Sequence, residues 1–331
     1  MRRVLKILAI IVSVVIVATI LLLVIGPFLV PVNSLTGLVS ARDAATRDSN
    51  FVAIPFDGTG GLDIHYLADE PGAPGEPTFV LLHGSLFNAF TWSEVFDFFD
   101  AQGRVVAYDQ IPYGLSEKPV TGDWTGDNPY KSQAQVDQLF VFLDALGLEN
   151  VILVGNSYGG VLAVQAALAQ PERIDGLILA DPAVYVQEEM PAWVMDLPQV
   201  QRLGPLFARQ LGQGDAFLRQ TYLNPDQISP DRSASFSLHT RVENWDIALW
   251  EYLRVWGVDA PDYSGDIPTI SQPALVISGD SDAIVPVSDS ERLASELPNA
   301  ELVIIPNCGH VPQEECPAAF EDAVNRWLGQ K

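Results

Sequence analysis

The stretch Val-Ile-Leu-Val-Gly-Asn-Ser-Tyr-Gly-Gly, residues 151–160, decides the fold. Its apolar half has the length and β-branched content of a strand that is covered on both faces, and the alanine-rich residues 161–169 predict a helix. The turn between them reads Gly-x-Ser-x-Gly, in which Gly155 and Gly159 leave room where side chains would collide. Ser157 is therefore a predicted nucleophile, exposed at the carboxyl end of a strand, above a helix N-terminus that favours developing negative charge.

Buried strands and helices alternate on both sides of this stretch. After a hairpin of residues 51–54 and 63–68, we predict strands beginning at residue 78 and covering 104–109, 176–181, 273–279 and 301–305, with helices at 132–146 and 288–297. Such alternation implies right-handed βαβ crossovers. The predicted fold class is α/β, with a mostly parallel, doubly wound sheet.

Residues 183–268 interrupt the alternation. They contain no strong strand pattern, several prolines and many aromatic residues, so we predict a helical cap insertion above the strand ends. Ligands bind in the crevice that such an arrangement creates. Aromatic residues at helical spacing serve packing more often than recognition, so they favour an apolar substrate without identifying it.

An apolar run near the N-terminus predicts one transmembrane helix. Residues 7–25 are almost entirely Ile, Val, Leu and Ala, and about twenty such residues cross a bilayer. A signal peptide is the alternative, but its apolar core is usually about 7 to 15 residues long and ends at a small-x-small site that this run lacks. We expect an uncleaved anchor over residues 1–32 and a tether over 33–50. Basic residues precede the run, and the next one is Arg42, so the catalytic domain should lie outside the cytoplasm.

Length and charge limit the remaining possibilities. The chain has 331 residues, 48% of them hydrophobic, which suits one large domain over residues 51–331. All acidic residues follow the anchor, leaving 15 basic against 42 acidic residues there, a formal charge of −27. Such a surface repels nucleic acid, so we expect no nucleic-acid partner. Cys308 and Cys316 could form a disulfide if exported, although their spacing alone leaves this open.

The turn after the strand that begins at residue 78 predicts an oxyanion hole. An acyl-transfer site needs two backbone N–H groups aimed at the oxyanion, one after the nucleophile and one in this turn. We assign these groups to Tyr158 and Ser85, with Leu86 as the second choice in the turn. His83 ends the strand and is predicted to be a hydrogen-bonded structural residue. Asp109 follows the next strand and is predicted to fix its loop.

His310 is the predicted general base. A serine hydroxyl is a poor nucleophile unless a base removes its proton. Of the four histidines, only His310 follows a late strand, and Gly309 frees its loop. His65 lies in the early hairpin and His239 in the cap, so both are weaker candidates.

An aspartate must hold that base in the correct tautomer. Asp282 is the first choice, because it follows the penultimate strand and can approach the histidine loop. Asp280 is second. Asp181 is third, since an acid after the earlier strand is a possible variant. The chain order Ser, Asp, His is the order expected when the serine lies on a strand–turn–helix.

The chain resembles α/β-hydrolases of the lipase, esterase and C–C hydrolase group over residues 51–328. The motifs that carry the resemblance are His83-Gly84, Asp109 with Tyr113-Gly-Leu-Ser, residues 155–160, residues 279–286 and Gly309-His310. The resemblance implies Ser157 as nucleophile, His310 as general base and acid, Asp282 as its orienting acid, and the N–H groups of Ser85 and Tyr158 as oxyanion hole. It also implies no metal and no organic cofactor.

These motifs lead us to expect a membrane-anchored serine hydrolase that cleaves small, apolar carboxylic esters through an acyl-enzyme on Ser157. Serine at this position argues against haloalkane dehalogenases and epoxide hydrolases, whose nucleophile is a carboxylate. Hydrolysis of a carbon–carbon bond in a meta-cleavage product is the alternative, and peptidase, perhydrolase and lactonase activities share the same triad. A non-catalytic binding module is the remaining alternative.

Overall fold

The computed structural model describes residues 2–69, 75–185, 190–258 and 263–330, and a central sheet organises them. Its strands are β1 (Asn50–Ile54), β2 (Leu62–Ala68), β3 (Thr78–Leu82), β4 (Arg104–Tyr108), β5 (Val151–Asn156), β6 (Ile174–Ala180), β7 (Ala274–Gly279) and β8 (Ala300–Ile305). They form one eight-stranded sheet in the order β1-β2-β4-β3-β5-β6-β7-β8.

The sheet is mostly parallel, as predicted. The β1–β2 hairpin and the β2–β4 pair are antiparallel, whereas every pair from β4 to β8 is parallel. Leu82 lies opposite Gly155, and Gly279 opposite Ile305. The loops that follow β3, β5, β7 and β8 therefore leave the same edge of the sheet, where the predicted site residues lie.

Helices cover both faces of the sheet. In the described part of the chain the α-helices are α1 (Arg2–Leu29), α2 (Ala41–Ala44), α3 (Phe96–Asp100), α4 (Ser132–Ala145), α5 (Tyr158–Ala169), α6 (Ala192–Met195), α7 (Pro198–Gly212), α8 (Ala216–Thr221), α9 (Pro230–Phe236), α10 (Trp245–Trp256), α11 (Val287–Glu296), α12 (Pro312–Glu315) and α13 (Pro317–Leu328). α4, α5 and α11 pack on one face, and α3 and α13 on the other.

Strand β5 shows why the sheet is buried on both faces. Val151 and Leu153 belong to one hydrophobic cluster, whereas Ile152 and Val154 belong to the cluster on the opposite face. Successive side chains of a strand point to opposite faces, so a strand covered on both sides needs an uninterrupted apolar run. This is the pattern from which the strand was predicted.

The cap consists of helices α6 to α10, between β6 and β7. The backbone N–H of His310 donates to the carbonyl of Thr221 in α8 at 2.7 Å, and the Asn88 amide donates to the carbonyl of Ser235 in α9 at 2.8 Å. These bonds hold the cap over the carboxyl edge of the sheet. The parts of the predicted cap at residues 186–189 and 259–262 lie outside the described residues.

α1 is long and apolar enough to cross a membrane, with a mean hydropathy of 3.4 over its most apolar window, and signal sequences near an N-terminus share these properties. The chain that follows it runs along the cap. The N–H of Val39 donates to the carbonyl of Arg241 at 2.9 Å, and the carbonyl of Val39 accepts from the N–H of Glu243 at 3.0 Å. The segment after α1 is thus attached to the cap before β1 begins.

Candidate active site

Ser157 lies in a strained turn between β5 and α5. Its φ of 54° and ψ of −116° are outside the regions that non-glycine residues usually adopt, and such strain is found at functional positions. A Cβ on Gly155 would lie 2.3 Å from the carbonyl oxygen of Gly159, and a Cβ on Gly159 would lie 2.0 Å from that of Leu82. Both glycines are therefore required by close backbone contacts. This confirms the prediction that side chains at these two positions would collide with their neighbours.

His310 and Asp282 form a buried pair beside this turn. Nδ1 of His310 lies 2.7 Å from Oδ2 of Asp282, and the two side chains are 2% and 0% exposed. Oδ1 of Asp282 accepts hydrogen bonds from the N–H groups of Ile284 at 2.7 Å and Val285 at 3.0 Å. Because the carboxylate accepts at Nδ1, that nitrogen carries the hydrogen, and Nε2 keeps the lone pair that a general base needs.

Asn156 connects the serine turn to the histidine loop. Its amide nitrogen donates to the carbonyl of His310 at 3.0 Å and to that of Ala180 at 3.1 Å. Since Asn156 immediately precedes Ser157, these bonds bring the ends of β5, β6 and β8 together. Asn156 was not identified as a site residue from the sequence.

The two other aspartates considered as the acid have different environments. Asp280 is exposed, and its Oδ1 accepts from the N–H of Asn307 at 2.8 Å. Asp181 is buried, and its Oδ1 accepts from the Ser278 hydroxyl at 2.7 Å and from the N–H of Gly279 at 3.1 Å. One carboxylate oxygen each from Asp181 and Asp282 and a ring nitrogen of His310 lie within 4.8 Å of one another.

The surroundings of Asp181 favour the protonated form of its carboxyl. Burial raises its pKa well above the usual range, and the negative charge of Asp282 raises it further. Of the two adjacent carboxyls, Asp181 is therefore the one whose neutral form is favoured, whereas Asp282 faces the histidine.

The loop after β3 lies against the nucleophile turn. A Cβ added to Gly84 would be 3.0 Å from Cβ of Ser157, so the backbone before Ser85 is in close contact with the serine. Tyr158 is the first residue of α5, and N–H groups at a helix N-terminus favour negative charge. Both predicted oxyanion donors therefore belong to segments that touch Ser157.

His83 and Asp109 are structural, as predicted. Nδ1 of His83 donates to the carbonyl of Gly84 at 2.8 Å, and its Nε2 accepts from the N–H of Gln110 at 3.0 Å. Burial lowers the pKa of His83, which keeps the ring neutral. The carboxylate of Asp109 accepts from the N–H groups of Ala89 and Leu115, both at 2.7 Å. The two side chains fix the loops after β3 and β4.

The remaining histidines do not join the candidate site. Nδ1 of His65 lies 2.6 Å from Oδ2 of Asp109, on the hairpin side of the sheet. His239 is buried in the cap, with Nδ1 3.2 Å from the carbonyl oxygen of Phe236.

A cluster of aromatic side chains adjoins the loop after β3 and was not identified from the sequence. The rings of Tyr113 and Tyr252 lie 5.2 Å apart, and those of Tyr158 and Trp256 lie 4.9 Å apart. The hydroxyls of Tyr113 and Tyr252 lie beside Ser85. Burial raises the pKa of both tyrosines, so they present neutral phenols. Cap and loop aromatics meet here across long sequence distances, which explains why spacing did not reveal the cluster.

Two glutamates of α12 were also not identified from the sequence. Glu315 accepts from the N–H groups of Gly309 at 2.7 Å, Leu223 at 3.0 Å and Asn224 at 2.6 Å, and so ties the histidine loop to the cap. Glu314 accepts from the Arg232 guanidinium at 2.6 Å. The only sequence signal was an acidic pair shortly after the predicted base.

A disulfide between Cys308 and Cys316 closes the same loop. Its two half-cystines flank His310, and the disulfide left open at the sequence level is therefore present. Together with Glu315, it restrains the backbone on which the candidate base is carried.

Comparison with known proteins gives a consistent family assignment. A model described as alpha/beta hydrolase fold matches residues 77–317. A 2-hydroxy-6-oxononadienedioate/2-hydroxy-6-oxononatrienedioate hydrolase of Paraburkholderia phymatum is 32% identical over 306 residues, covering 89% of this chain and 100% of the relative.

Among solved structures, a membrane phospholipase A aligns with 100% of this chain and 99% of its own, at a TM-score of 0.64 and 23% identity. An esterase from Thermogutta terrifontis aligns with 85% of this chain and 98% of its own, also at a TM-score of 0.64 and 23% identity. At this identity the two structures show that the fold is shared.

Proposed function

Because this chain belongs to the α/β-hydrolase family, we propose that it is a serine hydrolase that cleaves carboxylic esters through an acyl-enzyme on Ser157. The observation that carries the proposal is the buried His310–Asp282 hydrogen bond of 2.7 Å, adjacent to the strained turn of Ser157. A hydroxyl on such a turn needs a base in a fixed tautomer, and this pair supplies one.

The reaction proceeds in two halves. In the first, Oγ of Ser157 attacks the ester carbonyl carbon and gives its proton to Nε2 of His310, while Asp282 stabilises the imidazolium. The carbonyl oxygen becomes an oxyanion that accepts from the N–H groups of Ser85 and Tyr158. Collapse of this intermediate breaks the carbon–oxygen bond, and the leaving alcohol takes the proton from Nε2.

In the second half, water replaces the alcohol. Nε2 of His310 removes a proton from the water, which attacks the acyl carbon, and collapse of the second oxyanion releases the acid. Ser157 regains its proton from His310, so the enzyme returns to its starting state.

The charges around the site favour a neutral ester over a dicarboxylate. The phenols of Tyr113 and Tyr252 beside Ser85 are uncharged. Among the cap cations, Arg232 is paired with Glu314 at 2.6 Å and Arg209 is paired with a buried aspartate at 2.7 Å. The chain also has a formal net charge of −24, which repels a substrate with two carboxylates more strongly than a neutral ester.

Carbon–carbon bond hydrolysis is the second candidate, because the relative that is 32% identical over its full length is named as a dienedioate hydrolase. The same serine, base and oxyanion donors could serve that reaction. A non-catalytic binding module is less well supported, since binding alone requires neither the strained serine nor the buried His310–Asp282 pair.

We further assign residues 1–32 to a membrane anchor, residues 33–50 to a tether and residues 51–331 to the hydrolase domain, with the cap at about residues 183–268. Basic residues before the apolar run support an extracytoplasmic position of the domain under the positive-inside rule.

The test is hydrolysis of p-nitrophenyl esters from acetate to long acyl chains by the full chain in detergent, beside Ser157→Ala. We expect activity that peaks at one chain length and is lost in the variant. A 2-hydroxy-6-oxo-dienedioate is tested in parallel. Turnover of that compound without ester hydrolysis would replace the ester proposal with the carbon–carbon alternative, and ester hydrolysis that survives in Ser157→Ala would refute the assigned nucleophile.

A further inference from the structure

Helix α7 of the cap is hydrogen-bonded to the chain where it leaves α1. The side-chain amide of Gln199 donates to the carbonyl of Val24 at 3.3 Å. The guanidinium of Arg202 donates to the carbonyl of Val30 at 3.2 Å, and that of Arg209 donates to the carbonyl of Asn33 at 2.8 Å. α7 thus runs beside the last turns of α1 and the segment that follows.

These contacts fix the depth of the cap relative to a bilayer. The apolar run of α1, residues 7–25, would be about 28 Å long at a rise of about 1.5 Å per residue, close to the hydrocarbon thickness of about 30 Å. Val24 lies at the outer end of this run. Gln199, which contacts it, therefore lies at the boundary between acyl chains and head groups.

The cap exposes large apolar side chains on α7 and in the short segment with α6 that precedes it. Trp193 is 67% exposed and Phe207 57% exposed, and Met190 and Leu197 are exposed beside them along the chain. We call these four residues the cap patch. Tryptophan is enriched at membrane interfaces, where its ring meets both apolar and hydrated surroundings. Scattered apolar residues need no explanation, but Phe207 lies on α7, which contacts the end of α1, and Trp193 lies on α6, which contacts α7.

The charge of this segment differs from that of the rest of the domain. Residues 190–210 contain one acidic and two basic residues, whereas the chain as a whole has 42 acidic and 18 basic residues. An acidic surface would be repelled by anionic head groups. The segment proposed to reach the level of the head groups therefore carries little negative charge.

We propose that the cap patch inserts into the outer interface of the membrane that α1 crosses, so that the active site takes its esters from the bilayer. The inference rests on the anchor proposed above. Lipid then covers the cap patch in the membrane. The substrates are amphiphilic esters that partition into the outer leaflet.

One helix layer separates the cap patch from the nucleophile turn. A Cβ on Gly204 of α7 would lie 2.0 Å from the Trp250 ring of α10, so the two helices are in close contact. On the other side of α10, Tyr252 and Trp256 pack against Tyr158, with ring centroids 6.0 and 4.9 Å apart. A lipid ester leaving the interface would therefore have to pass only the thickness of the cap.

Depth-dependent fluorescence quenching tests the proposal on the full chain. Both native cysteines form the disulfide, so single cysteines introduced as Trp193→Cys and Phe207→Cys can be labelled selectively. Ser13→Cys labels α1, and Asn325→Cys labels an exposed position on α13, on the opposite face of the sheet. Each labelled protein is reconstituted into phosphatidylcholine vesicles with or without lipids that carry a quencher.

We expect quenching at Ser13, Trp193 and Phe207 but not at Asn325. Quenching at Ser13 without quenching at Trp193 and Phe207 would overturn the membrane-facing patch and leave the anchor intact. No quenching at Ser13 would overturn the anchor and this inference together. Labels at the cap patch that are shielded from water yet remain unquenched would show that a second copy of the chain covers the patch, which would also overturn the proposal.

Activity provides the second readout. In vesicles, Trp193→Ser with Phe207→Ser should lose most hydrolysis of a bilayer-embedded ester while keeping the wild-type rate on a short water-soluble ester. Equal rates of wild type and variant on the embedded ester would contradict delivery through the cap patch. Loss of both activities in a variant that still labels at Ser13→Cys would mean that these side chains support the fold of the cap rather than its contact with lipid.

Discussion

Asp282→Asn should lower kcat by about 10⁴-fold, whereas Asp280→Asn should leave it nearly unchanged. The two aspartates lie in the same loop after β7, but their carboxylates have different partners. Oδ2 of Asp282 accepts from Nδ1 of His310 at 2.7 Å. Asp280 is exposed, and its Oδ1 accepts from the N–H of Asn307 at 2.8 Å. Asp280→Asn is therefore a matched control for the same chemical change.

The magnitude follows from the donors around Asp282. Its Oδ1 accepts from two backbone N–H groups, those of Ile284 and Val285. An asparagine must keep its carbonyl oxygen there, so its NH₂ group faces Nδ1 of His310 and two donors meet. The ring then adopts the other tautomer, in which Nε2 carries the hydrogen and cannot accept the proton of Ser157. A loss of about 10⁴ corresponds to about 5 kcal/mol of activation free energy.

The assay is kcat for a short p-nitrophenyl ester, measured for the full chain and both variants, with thermal unfolding as the check that each variant is folded. A folded Asp282→Asn variant whose kcat stays within about tenfold of the wild type would refute the tautomer argument. An equal loss in both variants would also refute it, since only one carboxylate contacts the histidine.

Three further changes test the stability of the fold. Burial and the charge of Asp282 raise the pKa of Asp181, so the folded state keeps a proton that the unfolded chain releases above about pH 4, and the free energy of unfolding falls as pH rises from there. In urea denaturation, Asp181→Asn should therefore have a higher free energy of unfolding than the wild type at pH 7 and the same value near pH 4. Burial lowers the pKa of His239 to about 4, so the free energy of unfolding should fall by about 3 kcal/mol as pH falls from about 6.5 to 4. His239→Gln should remove this pH-dependent loss in the same assay. Gly204→Ala places a Cβ 2.0 Å from a ring atom of the neighbouring tryptophan and should lower the free energy of unfolding by about 1–3 kcal/mol. As the control, Gly265→Ala, whose added Cβ would have no atom within 4 Å, should leave the unfolding midpoint unchanged.

The sheet and the residues at its edge could be predicted because local signals encode them. β5 and α5 follow from an apolar run, two glycines and an alanine-rich segment. In a parallel sheet the carboxyl ends of the strands meet at one edge, so the positions of His310 and Asp282 after late strands were sufficient to predict that the two would meet. The structural roles of His83 and Asp109 followed from the same reasoning.

The contacts that hold the cap could not be predicted, because they join residues far apart in sequence. Glu315 bonds the backbone of Leu223 and Gly309, and Tyr113 meets Tyr252 of α10. The charge and aromatic content of a segment do not predict which distant residue a given side chain will contact. The pairing of α7 with the end of α1 belongs to the same class, since its hydrogen bonds are to backbone carbonyls that any sequence would offer.

The most direct test of the proposed enzyme is labelling of the full chain with a serine-directed fluorophosphonate, followed by mass analysis of the peptide that contains Ser157. We predict one covalent adduct on Ser157, strong slowing of the reaction in His310→Ala and no adduct in Ser157→Ala. Folded wild-type protein that remains unlabelled at Ser157, or that labels equally fast in His310→Ala, would contradict the assignment of this chain as a serine hydrolase.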